Sequence, residues 1–164
     1  MQDMGIKCVT PKRAVDNFFR RSMEIMRSEI LRAFSYLGEQ AITKVRDREE
    51  IDSWYDHTGN LRSSIGYSVY DHGKSVIESA FAPIKGGTKG QSEGKKMVEE
   101  LASKYASTYA LVIVAAMNYA EYVEACNNKD VLASTEIWAK SEVEKYLKEA
   151  KERAIRRINK LRVI

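Results

Sequence analysis

The segment PIKGGTKGQSEGKK, residues 83–96, holds four glycines and four lysines with no large apolar residue after Ile84. Phosphate-cradling loops are built from such material, because closely spaced glycines let backbone amides point at an anion. The register argues against that chemistry here. A phosphate loop ending at Gly94 and Lys95 needs glycine at 89 and Ser or Thr at 96, where this chain has Lys89 and Lys96. The segment 83–95 is therefore expected as a mobile loop.

His57 and His72 are the histidines available for acid–base work, and His57 stands between Asp56 and Thr58. A carboxylate adjacent in sequence does not orient an imidazole as the third member of a triad does, and no nucleophile-elbow motif accompanies either ring. Both read as ordinary turn or surface residues. Asp47, Glu49, Glu50 and Asp52 offer oxygen ligands for a hard cation, without the glycine or the spacing of an EF-hand loop. They read as the solvated end of a helix. Cys8 and Cys126 are far apart with no CxxC pattern, so neither a disulfide framework nor a zinc site is indicated. No catalytic, metal or cofactor site is expected, and a reducing, intracellular place of folding is.

The chain has 164 residues and a formal charge of +4, from 27 basic and 23 acidic side chains. One domain spanning 1–164 accounts for that length, burying roughly 70% of the surface the unfolded chain exposes. The amino terminus lacks the apolar core of a secretory signal and reads as mature sequence. The longest uncharged run, Tyr105 to Ala120, falls short of the ~20 apolar residues of a bilayer span, so no membrane partner is expected. Basic charge gathers near the end, where Lys151, Arg153, Arg156, Arg157, Lys160 and Arg162 face the single Glu152. That tail is a candidate for phosphate or an acidic partner.

The elements that must position these residues follow from periodicity. Thr10 and Pro11 form a helix start, and Val15, Phe19, Met23, Met26, Ile30, Phe34, Leu37, Ala41 and Val45 keep one apolar stripe at 3–4 spacing. The spacing predicts a helix over 11–46, longer than the domain it belongs to, with apolar surface left for a neighbouring subunit and Gly38 as a weak point. Thr58 is placed to cap a short turn, after which Ile65, Tyr67 and Val69 alternate as a strand with one buried face. Asp71 to Lys74 turn that strand into a second one, giving a capped turn and hairpin over 58–82.

Residues 96–126 read as a short helix marked by Met97, Leu101 and Tyr105, a central strand Tyr109–Ala116 apolar on both faces, and a helical turn in NYAEYVEA. Tyr105, Tyr109, Tyr119 and Tyr122 are assigned to core and interface packing in preference to base stacking. Ser134 is placed to cap a last amphipathic helix over 134–161, laced outside by Glu144–Lys148, Glu149–Arg153 and Glu152–Arg156 pairs. The fold class is α+β: a small antiparallel sheet, a hairpin plus a central apolar strand, packed against long N-terminal and C-terminal helices.

This order of parts, with TGNLRSSI at 58–65 and YAEYVE at 119–124, resembles the minor tail or head-to-tail joining (tail-completion, neck) component family of tailed phages. The resemblance covers roughly Val15 to Leu161. Family members follow the second motif with Gly-Thr, where this chain has Ala125 and Cys126, and the family's proline-containing approach to the last helix is replaced by NNKDVLAST. The resemblance implies a phage or prophage virion protein without catalysis, assembled in the bacterial host cytoplasm. Its partners would be copies of itself in a ring, other neck or tail proteins, and DNA passing through the lumen.

On that resemblance Thr58, Gly59, Asn60, Leu61, Arg62 and Ile65 hold a helix-to-hairpin joint. Tyr119, Ala120, Tyr122, Val123 and Glu124 hold a strand-to-helix joint. Lys85, Lys89, Lys95 and Lys96 become candidate contacts to DNA or to a partner. Glu124, beside an apolar turn, requires a basic or amide partner, and Arg62 is the candidate for it. The alternative function is a basic nucleic-acid-binding module built from the last helix and the Gly/Lys segment.

Overall fold

The computed structural model describes residues 10–48, 54–126 and 129–162. Cys8 and the carboxylates Glu49, Glu50 and Asp52 lie outside the described residues. The architecture is α+β, a three-stranded antiparallel sheet with long helices near both ends of the chain.

The apolar stripe near the start folds as one unbroken helix, α1 (Lys12–Arg46), of 35 residues. Pro11 is its N-cap at φ −60°, where its missing N–H costs the helix nothing. Lys44 and Arg46 in the last turn suit the negative end of the helix dipole. Gly38, expected as a weak point, is a packing residue: a Cβ there would lie 2.6 Å from Cδ2 of Tyr67, so its absence lets that ring lie against the helix.

After a short helix α2 (Asn60–Ser63), strands β1 (Ile65–Asp71), β2 (Lys74–Glu78) and β3 (Tyr109–Ala115) pair antiparallel in the order β2-β1-β3. His72 at φ 50° and Gly73 at φ 81° make the two-residue hairpin turn, the left-handed pair that matches strand twist. The order corrects the sequence reading in one respect. The apolar segment at 109–116 is an edge strand, and β1 is central and buried on both faces. Ile65, Tyr67 and Val69 face α1, while Gly66, Ser68 and Tyr70 face the other side. There Phe81 fills the space over Gly66, and the Tyr70 hydroxyl donates to the carbonyl of Val98. Small side chains at 66 and 68 look polar in sequence because they make room for a buried ring.

The mobile loop expected over 83–95 is also corrected. Residues 88–95 are the first two turns of a helix, α3 (Thr88–Leu101), followed by a 3-10 turn at Ala102–Tyr105. Its glycines are contact points. A Cβ on Gly90 would lie 1.8 Å from the Asn60 carbonyl oxygen, and one on Gly94 would lie 2.5 Å from Phe81. Glycines at 87, 90 and 94 recur at helical spacing, and that face carries α3 onto α2 and β1.

Past a short helix α4 (Ala120–Ala125), the chain ends in α5 (Ala133–Ile158), which lies antiparallel along α1. Contacts run in order down the pair. Lys44 sits 4.9 Å from the Trp138 ring centre, Gln40 accepts from the Tyr146 hydroxyl at 2.9 Å, and Glu29 accepts from Arg153 and Arg157. At Arg27, whose Nε meets Asp71 at 2.5 Å, α1 touches the turn end of the sheet. N-terminal to that point it runs on beside α5, where Arg21 and Ile25 line a cleft with Arg157 and Leu161. No helix among the described residues is long and apolar enough to cross a membrane.

Candidate functional site

Among the described residues between α1 and β1, several polar side chains are bonded to backbone. Thr58 Oγ1 accepts from the amide of Asn60 at 3.3 Å and from the Asn60 side-chain amide at 3.1 Å, but the N-cap of α2 is Gly59 and not Thr58. Gly59 precedes α2 at φ 71°, a left-handed conformation, and a Cβ there would collide with the Ile84 carbonyl at 1.8 Å. Asn60 in turn accepts from the Gly90 amide at 3.1 Å. The fully buried Ser63 accepts from the Ile84 amide at 2.7 Å and donates to the Gly59 carbonyl at 2.6 Å. Leu61 and Ile65 are buried core residues, each stabilising by about 1.5–3 kcal/mol on the usual transfer scale.

Arg62 does not reach Glu124, and the proposed pairing is corrected. Its Nη1 donates to the Arg46 carbonyl at 2.6 Å and Nη2 reaches the Arg48 carbonyl at 3.4 Å, while the guanidinium lies 4.9 Å from the Trp54 ring centre. It therefore satisfies carbonyls that the end of α1 leaves unbonded. Its own amide is held by Oδ2 of buried Asp56 at 2.8 Å. Glu124 Oε1 accepts from the amides of Leu132 and Ala133 at 2.9 and 2.6 Å, satisfying the open N-terminus of α5. The carboxylate finds the amide partner its setting requires, and the partner is a helix end instead of Arg62.

Ser134 does not cap α5 in the way expected. Its amide is bonded by Asp130 Oδ1 at 3.1 Å, and its hydroxyl accepts from Arg48 at 2.9 Å. Arg48, which the sequence reading did not single out, also donates to Thr135 Oγ1 at 2.8 Å and to the Asp130 carbonyl at 2.6 Å, and pairs with Asp130 Oδ2 at 2.9 Å. It ties the end of α1 to the start of α5. Its only signal in sequence was an arginine among the charges of RDREEID.

The two motifs meet at Tyr119. Burial, then the charge of Asp56, pushes its phenol up, and the Thr58 hydroxyl pulls it back. Ala120 is buried and Val123 packs against the same core, whereas Tyr122 is exposed and takes no scaffold role. Three of the four lysines, Lys89, Lys95 and Lys96, lie exposed on α3, and Lys85 precedes it. Lys85 donates to the Asp56 carbonyl at 3.3 Å and lies over Tyr55, and Lys96 pairs with Glu100 at 3.7 Å. Lys89 and Lys95 are exposed on α3, with Glu93 between them in sequence.

Among the described residues no three His, Cys, Asp or Glu side chains gather as a metal site. His72 Nδ1 lies 2.6 Å from Asp71, in the hairpin turn, and His57 packs edge-on against Tyr55. Arg62 and Glu124 bond the end of α1 and the start of α5 respectively, and Arg48 links the two. No protein-family model, curated protein or solved structure matches this chain.

Proposed function

We propose that this chain is a structural virion subunit of a tailed phage or prophage, of the minor-tail or head-to-tail joining kind. It acts by ring-like self-association and by docking to neighbouring neck or tail proteins, without catalysis, as a virion component assembled in the bacterial host cytoplasm. The observation that carries this reading is the uncovered part of α1. Leu37, Ala41 and Val45 are buried, yet on the same stripe Phe19, Met23 and Met26 remain 61%, 64% and 44% exposed. A contiguous apolar face of this kind on a soluble chain marks a contact with another protein. The joint residues fit the same task, since Asp56, Arg62 and Glu124 are engaged by backbone partners and hold elements in place.

A second reading, a nucleic-acid-binding module, is favoured by the charge of the helix pair, where Arg20, Arg21, Lys151, Arg156, Lys160 and Arg162 crowd one end. Light scattering over protein and salt concentration separates the two. A discrete larger species that grows with protein concentration supports the virion subunit. A strict monomer that binds duplex DNA with a steep salt slope overturns it in favour of the second reading.

A further inference from the structure

Resting on the reading of self-association, we propose that the contact is heterologous: the basic, apolar-striped end of the α1–α5 pair of one copy seats in the groove between β3 and α5 of the next.

Charge gives the direction. Residues 10–29 and 150–162 hold eleven Lys or Arg against four Asp or Glu, a formal +7. The whole chain is +4, so the remainder is −3. Within that remainder, residues 117–149, which include α4 and the part of α5 that walls the groove, hold seven acidic against four basic side chains. Two basic ends set face to face repel each other, whereas a basic end against the acidic body of another copy attracts.

The groove has the complementary shape. It encloses about 520 Å³ and is lined by Phe34, Leu111, Ile113, Leu132, Ala139 and Val143, with the ion-paired Glu136 and Lys140 on its wall. Its floor strand is an open sheet edge. β2, the other edge, is blunted by Lys74, Glu78 and a register shift, while Tyr109–Ala115 carries no charge and no proline. The incoming surface is a helix face. Phe19, Met23 and Met26, at spacings of 4 and 3, span about 10 Å on one side of α1, as a helix laid in an apolar groove requires. A patch that meets a different patch on its neighbour makes a head-to-tail contact, which closes into a ring or runs on as a filament.

Complementation tests this. Met23→Glu removes the knob at an exposed position, and Ala139→Arg places a bulky positive charge in the groove; Glu136→Lys, also exposed, replaces the latter should it fail to fold by circular dichroism. Each variant alone is expected to remain monomeric at concentrations where the unaltered chain assembles. Mixed in equal amounts they are expected to double in mass and stop, since one intact knob and one intact groove remain, and the heterodimer should weaken as salt rises. A mixture that stays monomeric while the unaltered chain assembles overturns the heterologous contact and leaves self-association standing. An unaltered chain monomeric at every concentration overturns self-association itself. Salt-sensitive duplex DNA binding abolished by Arg20→Glu with Arg156→Glu, in a chain that does not assemble, assigns the basic end to nucleic acid.

Discussion

Gly90→Ala distinguishes the folded segment from the mobile loop its composition suggests, because the two assign different effects to the change. In a mobile loop the alanine restricts the folded and unfolded chain alike and stays within about 0.5 kcal/mol of neutral. In a helix interior without neighbours it gains about 1 kcal/mol in propensity. Here the added Cβ would stand 1.8 Å from the Asn60 carbonyl oxygen and 2.7 Å from its carbon, both backbone atoms. Ordinary contact lies near 3.5–4 Å, so α3 must withdraw by roughly 2 Å from α2. Asn60 is held by Thr58 and the Arg62 amide by Asp56, so α2 has little freedom to yield.

Withdrawal stretches the bond from the Gly90 amide to Asn60, now 3.1 Å, at a cost of about 1 kcal/mol. Overpacking adds about 1–3 kcal/mol or more, which outweighs the propensity gain. A net loss of about 1–3 kcal/mol corresponds to a Tm lowered by about 2–12 °C for a chain of this size. Urea unfolding followed by circular dichroism measures it, with Lys89→Ala on the exposed side of α3 as a control expected within about 0.5 kcal/mol. A midpoint for Gly90→Ala equal to or above that of the unaltered chain refutes the close packing of α3 on α2.

Glu29, 3% exposed, has its carboxyl held below the usual 4.5 by hydrogen bonds from Arg153 and Arg157 that outweigh its burial. Its folded value is depressed, so its contribution is complete above about pH 4.5 and lost as pH falls through the lower folded value. Glu29→Gln should therefore cost about 2 kcal/mol at pH 7, discounted for the half-exposed arginines, and much less at pH 3, as urea midpoints at the two pH values will show. Arg48→Ala should cost about 2–3 kcal/mol and speed amide exchange in the first turns of α5, and Arg48→Lys should not restore it, because a single ammonium cannot reproduce the fork. Arg62→Ala and Glu124→Ala should add in a double-mutant cycle, within about 0.5 kcal/mol, since the two side chains serve different helix ends.

What the sequence by itself determined was periodic. The 3–4 spacing from Val15 to Val45 and from Val143 to Ile158 marked two long helices, the second ending at Ile158 and not at 161 as its spacing suggests, and the alternation at 65–70 with Asp71 to Lys74 marked a hairpin. These are local properties, because a repeat of 3.6 or 2 residues decides which side chains share a face. The Thr58 bond was legible for the same reason, since the amide that donates to its hydroxyl lies two residues away. What that face meets is not local. The tertiary structure alone decided that β1 and not β3 is central, because small residues at 66 and 68 are indistinguishable in sequence from a solvated face until Phe81 and α3 cover them. It likewise decided that Arg62 and Glu124 serve separate helix ends, and that Arg48 ties α1 to α5 across 82 to 87 residues of chain. The glycines at 87, 90 and 94 carry both lessons. Their spacing was in the sequence, but only the backbone of α2 pressed against them turns a sign of flexibility into a packed surface.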